Sequence, residues 1–281
     1  MTVEAIFDVV ASSADDIRGS LTGRRTYAEE QNPSGEQQLA ADVHADQLLE
    51  ERLLALDSVG AYASEERDEV ITDGDGWSVA VDPLDGSSNV KSNNAMGTVL
   101  GVYDAELPAP GRSLIAAAYV LYGPLTTMMT AHDGTVTEYV VEDGERQPVR
   151  ENVTLPNDPV VYGFGGRVPE WPDDFSGFVS SVEQELKLRY GGAMIADVNQ
   201  IMTYGGVFAY PALESHPDGK LRLLFEGAPI GYIVETAGGR SSDGARSLLD
   251  VTSSSLHQRV PVHVGNPEYI TRLEEALHDD S

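Results

Sequence analysis

The stretch Val81-Asp82-Pro83-Leu84-Asp85-Gly86-Ser87-Ser88-Asn89 constrains this chain more than any other. Trp77-Ser78-Val79-Ala80, just before it, puts apolar residues on alternate positions, which predicts a strand running into the motif. Pro83 fixes its own φ and holds Asp82 extended. Asp82 and Asp85 can therefore converge at the strand's end, where oxygen ligands suit a hard cation such as Mg²⁺. Gly86, Ser87 and Ser88 are small enough for backbone N–H groups to crowd round an anion. A cation site beside an anion site is what metal-assisted hydrolysis of a phosphate ester needs.

A second acidic pair lies upstream. Val59-Gly60-Ala61-Tyr62-Ala63 predicts a short strand, followed by Ser64-Glu65-Glu66. Adjacent side chains at a strand end point to different sides, so one glutamate can bind metal while the other holds a water. Alone, the pair reads as a solvated loop, the usual place of carboxylates. Beside the nonapeptide it reads as part of one site.

Acidic residues number 46 against 18 basic, a net charge of −28 spread over loops and both ends. Such a surface repels nucleic acid and anionic membranes, and its distribution resembles that of proteins kept soluble in concentrated salt. It also repels a phosphate ester, so divalent cations and a few placed basic residues must reverse the field locally. With no cysteine there is no disulfide, thiol switch or thiolate metal site. The six histidines show no metal-ligand spacing. No apolar run approaches a membrane span and the first residues lack a basic leader, so a soluble, cytoplasmic protein is expected.

Val3, Ile6, Phe7, Val10, Ala14 and Ile17 fall at helical spacing. Residues 18–38 are polar and turn-rich and predict a surface loop. A second helix follows, with Leu39, Val43, Leu49 and Leu53 along one face and Asp42 and Asp46 on a common side. Residues 98–103, 113–121, 126–131 and 135–141 read as strands of antiparallel hairpins, separated by turn signals such as Asp133-Gly134. Residues 142–157 are charged and poor in apolar side chains, which sets a domain boundary between 1–150 and 151–281. Beyond it, residues 160–164 read as a strand, and Phe175, Phe178, Val179, Val182 and Leu186 mark a helix. Residues 220–225 read as a strand ending at Glu226, ahead of a helix starting near residue 228. Residues 260–264 give a last strand, and Asn266-Pro267-Glu268 opens a last helix with face Ile270, Leu273 and Leu277.

The blocks Ser64-Glu65-Glu66, Asp82-Pro83-Leu84-Asp85-Gly86-Ser87-Ser88-Asn89 and Gly97-Thr98-Val99-Leu100-Gly101-Val102-Tyr103 resemble class I fructose-1,6-bisphosphatase. So do Leu188-Arg189-Tyr190-Gly191-Gly192-Ala193-Met194-Ile195-Ala196-Asp197-Val198, Tyr204-Gly205-Gly206-Val207-Phe208-Ala209-Tyr210-Pro211 and Gly219-Lys220-Leu221-Arg222-Leu223-Leu224-Phe225-Glu226, in the family's order. Asp-Pro-Leu-Asp-Gly alone indicates only the wider Mg²⁺-dependent, Li⁺-sensitive sugar and inositol phosphatase superfamily. The resemblance implies a layered α/β/α/β/α sandwich of two mixed-sheet domains, an N-terminal metal- and phosphate-binding one and a C-terminal sugar-binding one.

It further implies removal of the 1-phosphate of fructose 1,6-bisphosphate, with two to three Mg²⁺, or Mn²⁺, per site. Glu65, Asp82, Asp85, Glu226 and the Leu84 carbonyl match the two main metal sites, with Asp42 serving a third. Glu66, with Asp42 or Asp46, is expected to activate the water. Asp85, Gly86, Ser87 and Ser88 are expected on the transferred phosphate, Tyr190, Met194 and Tyr210 on the sugar, and Lys220 on the other phosphate. A family asparagine on that outer phosphate falls near Gly165 here, removing one contact. Arg189 matches an arginine that reaches a neighbouring subunit's substrate, which implies a homodimer or homotetramer. In the family a loop within residues 18–38 closes over the metals. Alternatives from the sequence are sedoheptulose-1,7-bisphosphatase, suggested by Asp197-Val198-Asn199-Gln200-Ile201, an inositol-monophosphatase-like enzyme, and a sugar-phosphate-binding module without catalysis.

Overall fold

The computed structural model describes residues 2–23, 27–31 and 37–278. Its first half runs α1 (Val3–Ser20), β1 (Tyr27–Gln31), β2 (Gln37–Leu39), α2 (Ala40–Leu54), β3 (Val59–Ser64), β4 (Ile71–Thr72), β5 (Trp77–Asp85), β6 (Met96–Tyr103), β7 (Leu114–Tyr122), β8 (Thr126–His132), β9 (Thr135–Glu142) and β10 (Glu145–Arg150). β3 to β10 form one sheet in the order β10-β9-β8-β7-β6-β5-β3-β4. From β5 to β10 every pairing is antiparallel, as the close-spaced apolar runs predict; β3 and β5 are parallel.

Strand periodicity assigns the two faces of this sheet. Val79, Val81, Leu100, Val102, Ala118 and Val120 point one way, onto Ile6, Phe7, Val10, Ile17, Leu49 and Leu53 of α1 and α2. Ala80, Val99, Tyr103, Ala117 and Tyr119 point the other way, into a second core.

The second half runs β11 (Val161–Phe164), α3 (Asp173–Val182), β12 (Lys187–Leu188), α4 (Met194–Tyr204), β13 (Gly206–Tyr210), β14 (Leu221–Arg222), α5 (Ala228–Thr236), β15 (Arg240–Ser242), β16 (Arg259–Val260), β17 (Val262–Gly265) and α6 (Pro267–His278). A mixed sheet in the order β12-β11-β13-β17-β15 carries parallel β11–β13 and antiparallel β13–β17 pairs. Its Phe208 and Val264 meet Ile195, Val198 and Ile201 of α4 and Ile230, Ile233 and Val234 of α5 in the second core. On its other face Phe164, Val207 and Ala209 pack with Phe175, Phe178 and Val182 of α3 and Ile270 and Leu273 of α6. Five layers follow: α1 and α2, the large sheet, α4 and α5, the smaller sheet, then α3 and α6. This is the expected α/β/α/β/α sandwich.

Local expectations fail where polar chemistry replaces apolar periodicity. Within residues 18–38 the described parts are the end of α1, a 3-10 turn at Leu21–Gly23 and a short antiparallel pair, β1 with β2, rather than bare loop; residues 24–26 and 32–36 lie outside the described residues. In α2 the buried face is Ala41, Asp42, Ala45, Asp46, Leu49 and Leu53, while Leu39 belongs to β2 and Val43 is only partly covered. The charged stretch after residue 142 contains β10. That edge strand is fixed by a two-residue turn, Asp143-Gly144, with both φ positive (52° and 76°), and by Arg146, whose guanidinium stacks on Phe7 and Tyr139. Pro261 divides the predicted strand 260–264 into β16 and β17. Asn266 does not cap α6 with its side chain: its Oδ1 accepts the Gly206 N–H and its Nδ2 donates to the Pro156 carbonyl.

Candidate active site

Glu65 and Asp82 leave the carboxyl ends of neighbouring parallel strands. Ser64 lies in register with Val81, and the Glu65 N–H continues the ladder to the Val81 carbonyl at 3.0 Å. The strand ends therefore set the two side chains next to each other. Past Asp82 the pairing slips: Asp82 opposes Val99 but Asp85 opposes Gly97, so β5 carries one extra residue, a bulge at Pro83-Leu84. The bulge is held by Asp82 Oδ1, which accepts the Leu84 N–H at 3.0 Å, and by Thr98 Oγ1, which donates to the Pro83 carbonyl at 2.9 Å. It re-aims Asp85, whose Oδ2 accepts the Ile195 N–H in the first turn of α4 at 2.8 Å.

Glu226 arrives differently from the expected strand end. β14 lasts only through Leu221–Arg222, and Leu223–Gly227 form a π-helical turn leading into α5. Glu226 Oε2 reaches back to accept the Arg222 N–H at 2.5 Å. π-turns of this kind place a side chain that regular α geometry would aim elsewhere.

Carboxylate oxygens of Glu65, Asp82 and Glu226 all lie within 4.8 Å of one another. Arg222, 4 % exposed, donates from Nη1 to Glu65 Oε1 at 2.8 Å. Three carboxylates against one guanidinium leave two negative charges in a buried space. At an effective dielectric near 20, each like-charged pair at this separation costs about 3–4 kcal/mol. Burial, reinforced by Glu65, Asp85 and Glu226, pushes the Asp82 carboxyl well above its usual range. Burial and Glu65 do the same to Glu226 against the opposing pull of Arg222. Burial raises Asp85 to about 7 although the Ile195 N–H pulls it down. All the donors are oxygens, so the set fits a hard divalent cation.

One cavity of about 280 Å³ is lined by Asp42, Glu65, Glu66, Asp82, Leu84, Asp85 and Glu226. Gly86, Ser87, Ser88, Tyr190, Met194, Tyr210 and Lys220 line the same cavity. Gly86 has φ of 73°, and a Cβ there would lie 2.2 Å from the Ala193 Cβ. Gly86→Ala is therefore expected to push the anion cradle off α4 and destabilise the fold by about 2–4 kcal/mol. Denaturant titration checks this; an unchanged midpoint would contradict it. Tyr190, pushed up to about 12 chiefly by burial, stays a hydroxyl donor at neutral pH.

Two predicted site residues lie outside the cavity lining. Asp46 Oδ1 accepts from the Tyr62 hydroxyl at 3.0 Å, and its Oδ2 pairs with Arg67 Nε at 2.6 Å. Arg189 is exposed, donates to Gln200 Oε1 at 3.0 Å and stacks on Tyr204. Gly165 lies against Tyr210, whose ring a Cβ at residue 165 would meet at 2.3 Å. Arg222 and Asp197 line the cavity without having been singled out from sequence. Each left a signal: a charged residue inside an otherwise apolar run, Leu221-Arg222-Leu223 and Ile195-Ala196-Asp197-Val198.

Residues 6–149 match the family described as fructose-1-6-bisphosphatase, N-terminal domain, and residues 155–278 match the C-terminal domain. The chain belongs to the class 1 fructose-1,6-bisphosphatases. It is 64 % identical over 278 residues to a fructose-1,6-bisphosphatase class 1 of Natronomonas pharaonis, covering 98 % of each chain. A Halobacterium salinarum relative of the same name is 58 % identical, over 99 % of this chain and 98 % of its own. The fold superposes on Leishmania major fructose-1,6-bisphosphatase in holo form with a TM-score of 0.91 at 27 % identity, covering 98 % of this chain and 94 % of that one. Fructose-1,6-bisphosphatases are metal-dependent phosphoric monoester hydrolases acting on a sugar bisphosphate, and the Glu65, Asp82, Glu226 cluster is the place where this chain's donors fit such a metal. Among the described residues no helix is long and apolar enough to cross a membrane.

Proposed function

We propose that the chain hydrolyses the 1-phosphate of fructose 1,6-bisphosphate at this cavity, giving fructose 6-phosphate and phosphate. The observation that carries the reading is the three-carboxylate cluster opening into the same cavity as Gly86-Ser87-Ser88 and Lys220. Glu65, Asp82, Asp85, Glu226 and the Leu84 carbonyl would hold two Mg²⁺, with Asp42 assisting a third; Mn²⁺ suits the same oxygens. When bound, such cations draw charge from the phosphate, acidify the attacking water and stabilise the leaving alkoxide.

The chain's own groups do the rest. Glu66, with Asp42, takes the water's proton. Glu66 and Asp42 line the cavity and Asp46 does not, which favours these two acids over Asp46. Gly86, Ser87 and Ser88 cradle the transferred group, Tyr190, Met194 and Tyr210 seat the sugar, and Lys220 holds the second phosphate. Phosphate release from fructose 1,6-bisphosphate, sedoheptulose 1,7-bisphosphate and inositol monophosphate, each with Mg²⁺ and after EDTA, tests the reading. Mg²⁺-dependent turnover is expected, fastest on the fructose ester; turnover surviving EDTA would contradict it.

Arg189 acts across a subunit boundary in this reading, within a cytoplasmic homodimer or homotetramer. It follows edge strand β12, whose Leu188 is 64 % exposed, and stacks on Tyr204 at the end of α4, 41 % exposed. Arg189→Ala and Asp82→Asn proteins, each impaired alone, should regain activity when mixed, because a hybrid contains one site free of both changes. Mixtures no more active than their parts would remove the shared-site role.

A further inference from the structure

Asp197 stands on the first turn of α4, with 3 % of its surface exposed. Its Oδ1 accepts the Gly191 N–H at 2.6 Å, and burial raises its carboxyl to about 7 against the pull of the Gly191 and Gly192 N–H groups. Its Oδ2 is buried and has no hydrogen-bond partner among the described residues, although the residue lines the cavity. A buried, half-satisfied carboxylate costs stability, and an apolar side chain could not make the bond it makes to Gly191.

The glycine pair it holds lies between Tyr190 and Met194, both on the sugar end of the cavity. Gly192 has φ of 79°, so the turn has a defined left-handed step. The next peptide unit is fixed from the phosphate side. The Gly191 carbonyl accepts from Asn89 Nδ2 at 2.9 Å and from Asn94 Nδ2 at 2.8 Å. Asn89 closes the nonapeptide, and its Nδ2 also donates to the Ala95 carbonyl at 2.8 Å. Gly191 is thus gripped by its N–H from α4 and by its carbonyl from the phosphate cradle.

We propose that Asp197 is a positioning residue for the sugar: through Gly191 and Gly192 it fixes Tyr190 and Met194 relative to the phosphate cradle. The role rests on the fructose 1,6-bisphosphate reading of the site. A small aryl phosphate needs the cradle and the acids but not the sugar wall. Misplacing the wall should therefore cost discrimination between the two substrates rather than hydrolysis in general.

The experiment compares kcat/KM for fructose 1,6-bisphosphate and for p-nitrophenyl phosphate in wild type, Asp197→Asn and Asn94→Ala. In Asp197→Asn the ratio of the two should fall about tenfold, mainly through KM for the sugar ester. Asn94 is exposed, so its variant keeps the question answerable should Asp197→Asn fail to fold; there the ratio should fall about threefold. Equal losses on both substrates, or no change in the ratio in a folded variant, would overturn the positioning role. A wild type inactive on fructose 1,6-bisphosphate would instead overturn the reading beneath it.

Discussion

Asp82→Asn should lower kcat on fructose 1,6-bisphosphate by at least about a thousandfold, worth roughly 4 kcal/mol of transition-state stabilisation, while raising the thermal midpoint of EDTA-treated protein. The opposite signs share one cause. Asp82 is buried among Glu65, Asp85 and Glu226, which raise its pKa after burial itself. Without a divalent cation that arrangement is repulsive, and neutralising one member relieves it. The asparagine carbonyl can still accept the Leu84 N–H, so the bulge survives. Relief of about 1–3 kcal/mol corresponds to a gain of roughly 2–10 °C for a chain of this size. Steady-state kinetics and calorimetry check the two halves; a lower midpoint with undiminished turnover would contradict both.

The second large effect is a pH dependence that divalent cation should abolish. Burial raises Asp85 from 3.8 to about 7, and raises Asp82 and Glu226 well above their usual range. A carboxyl whose folded pKa exceeds its unfolded value binds its proton more tightly when folded. Its contribution is fully present below the unfolded value near 4 and is lost as pH rises through the folded one. EDTA-treated protein should therefore become more stable, by about 2–4 kcal/mol, as pH falls from 8 to 5.5. The shift in midpoint should be roughly 5–15 °C. Saturating Mg²⁺ keeps these groups ionised and should flatten the curve over that window. An EDTA-treated midpoint that drops on acidification, or a Mg²⁺ curve parallel to it, would show that the carboxylates are not coupled as described.

The sequence made some of this site legible because local rules and tertiary context agree there. Alternation through Val79, Ala80 and Val81 assigns both faces of β5, and the strand's end delivers Asp82. Pro83 signals a break, which proves to be the bulge that turns Asp85 toward α4. The spacing of Glu65 and Asp82 along the chain says nothing of their contact; the parallel register of β3 and β5 does.

What was missed has physical reasons. Residues 145–150 lack apolar alternation because β10 is an edge strand resting on the stem and guanidinium of Arg146, yet Asp143-Gly144 was a hairpin signal within the charge. The π-turn at residues 223–227 reads as strand because an apolar run has no period of its own. Helical spacing puts Asp42 and Asp46 on one side of α2, but one turn separates a cavity wall from a site taken by Tyr62 and Arg67. Arg222 reads only as a charged residue in a strand until Glu65, from a distant strand, is found beside it.

Mn²⁺ bound to the protein and located by anomalous scattering in crystals tests the central claim most directly. The account predicts peaks within coordination distance of Glu65, Asp82 and Glu226, about 2.0–2.3 Å from their oxygens, and their loss in Glu226→Gln. Mn²⁺ found only at surface carboxylates, or a cluster peak unchanged in Glu226→Gln, would contradict it.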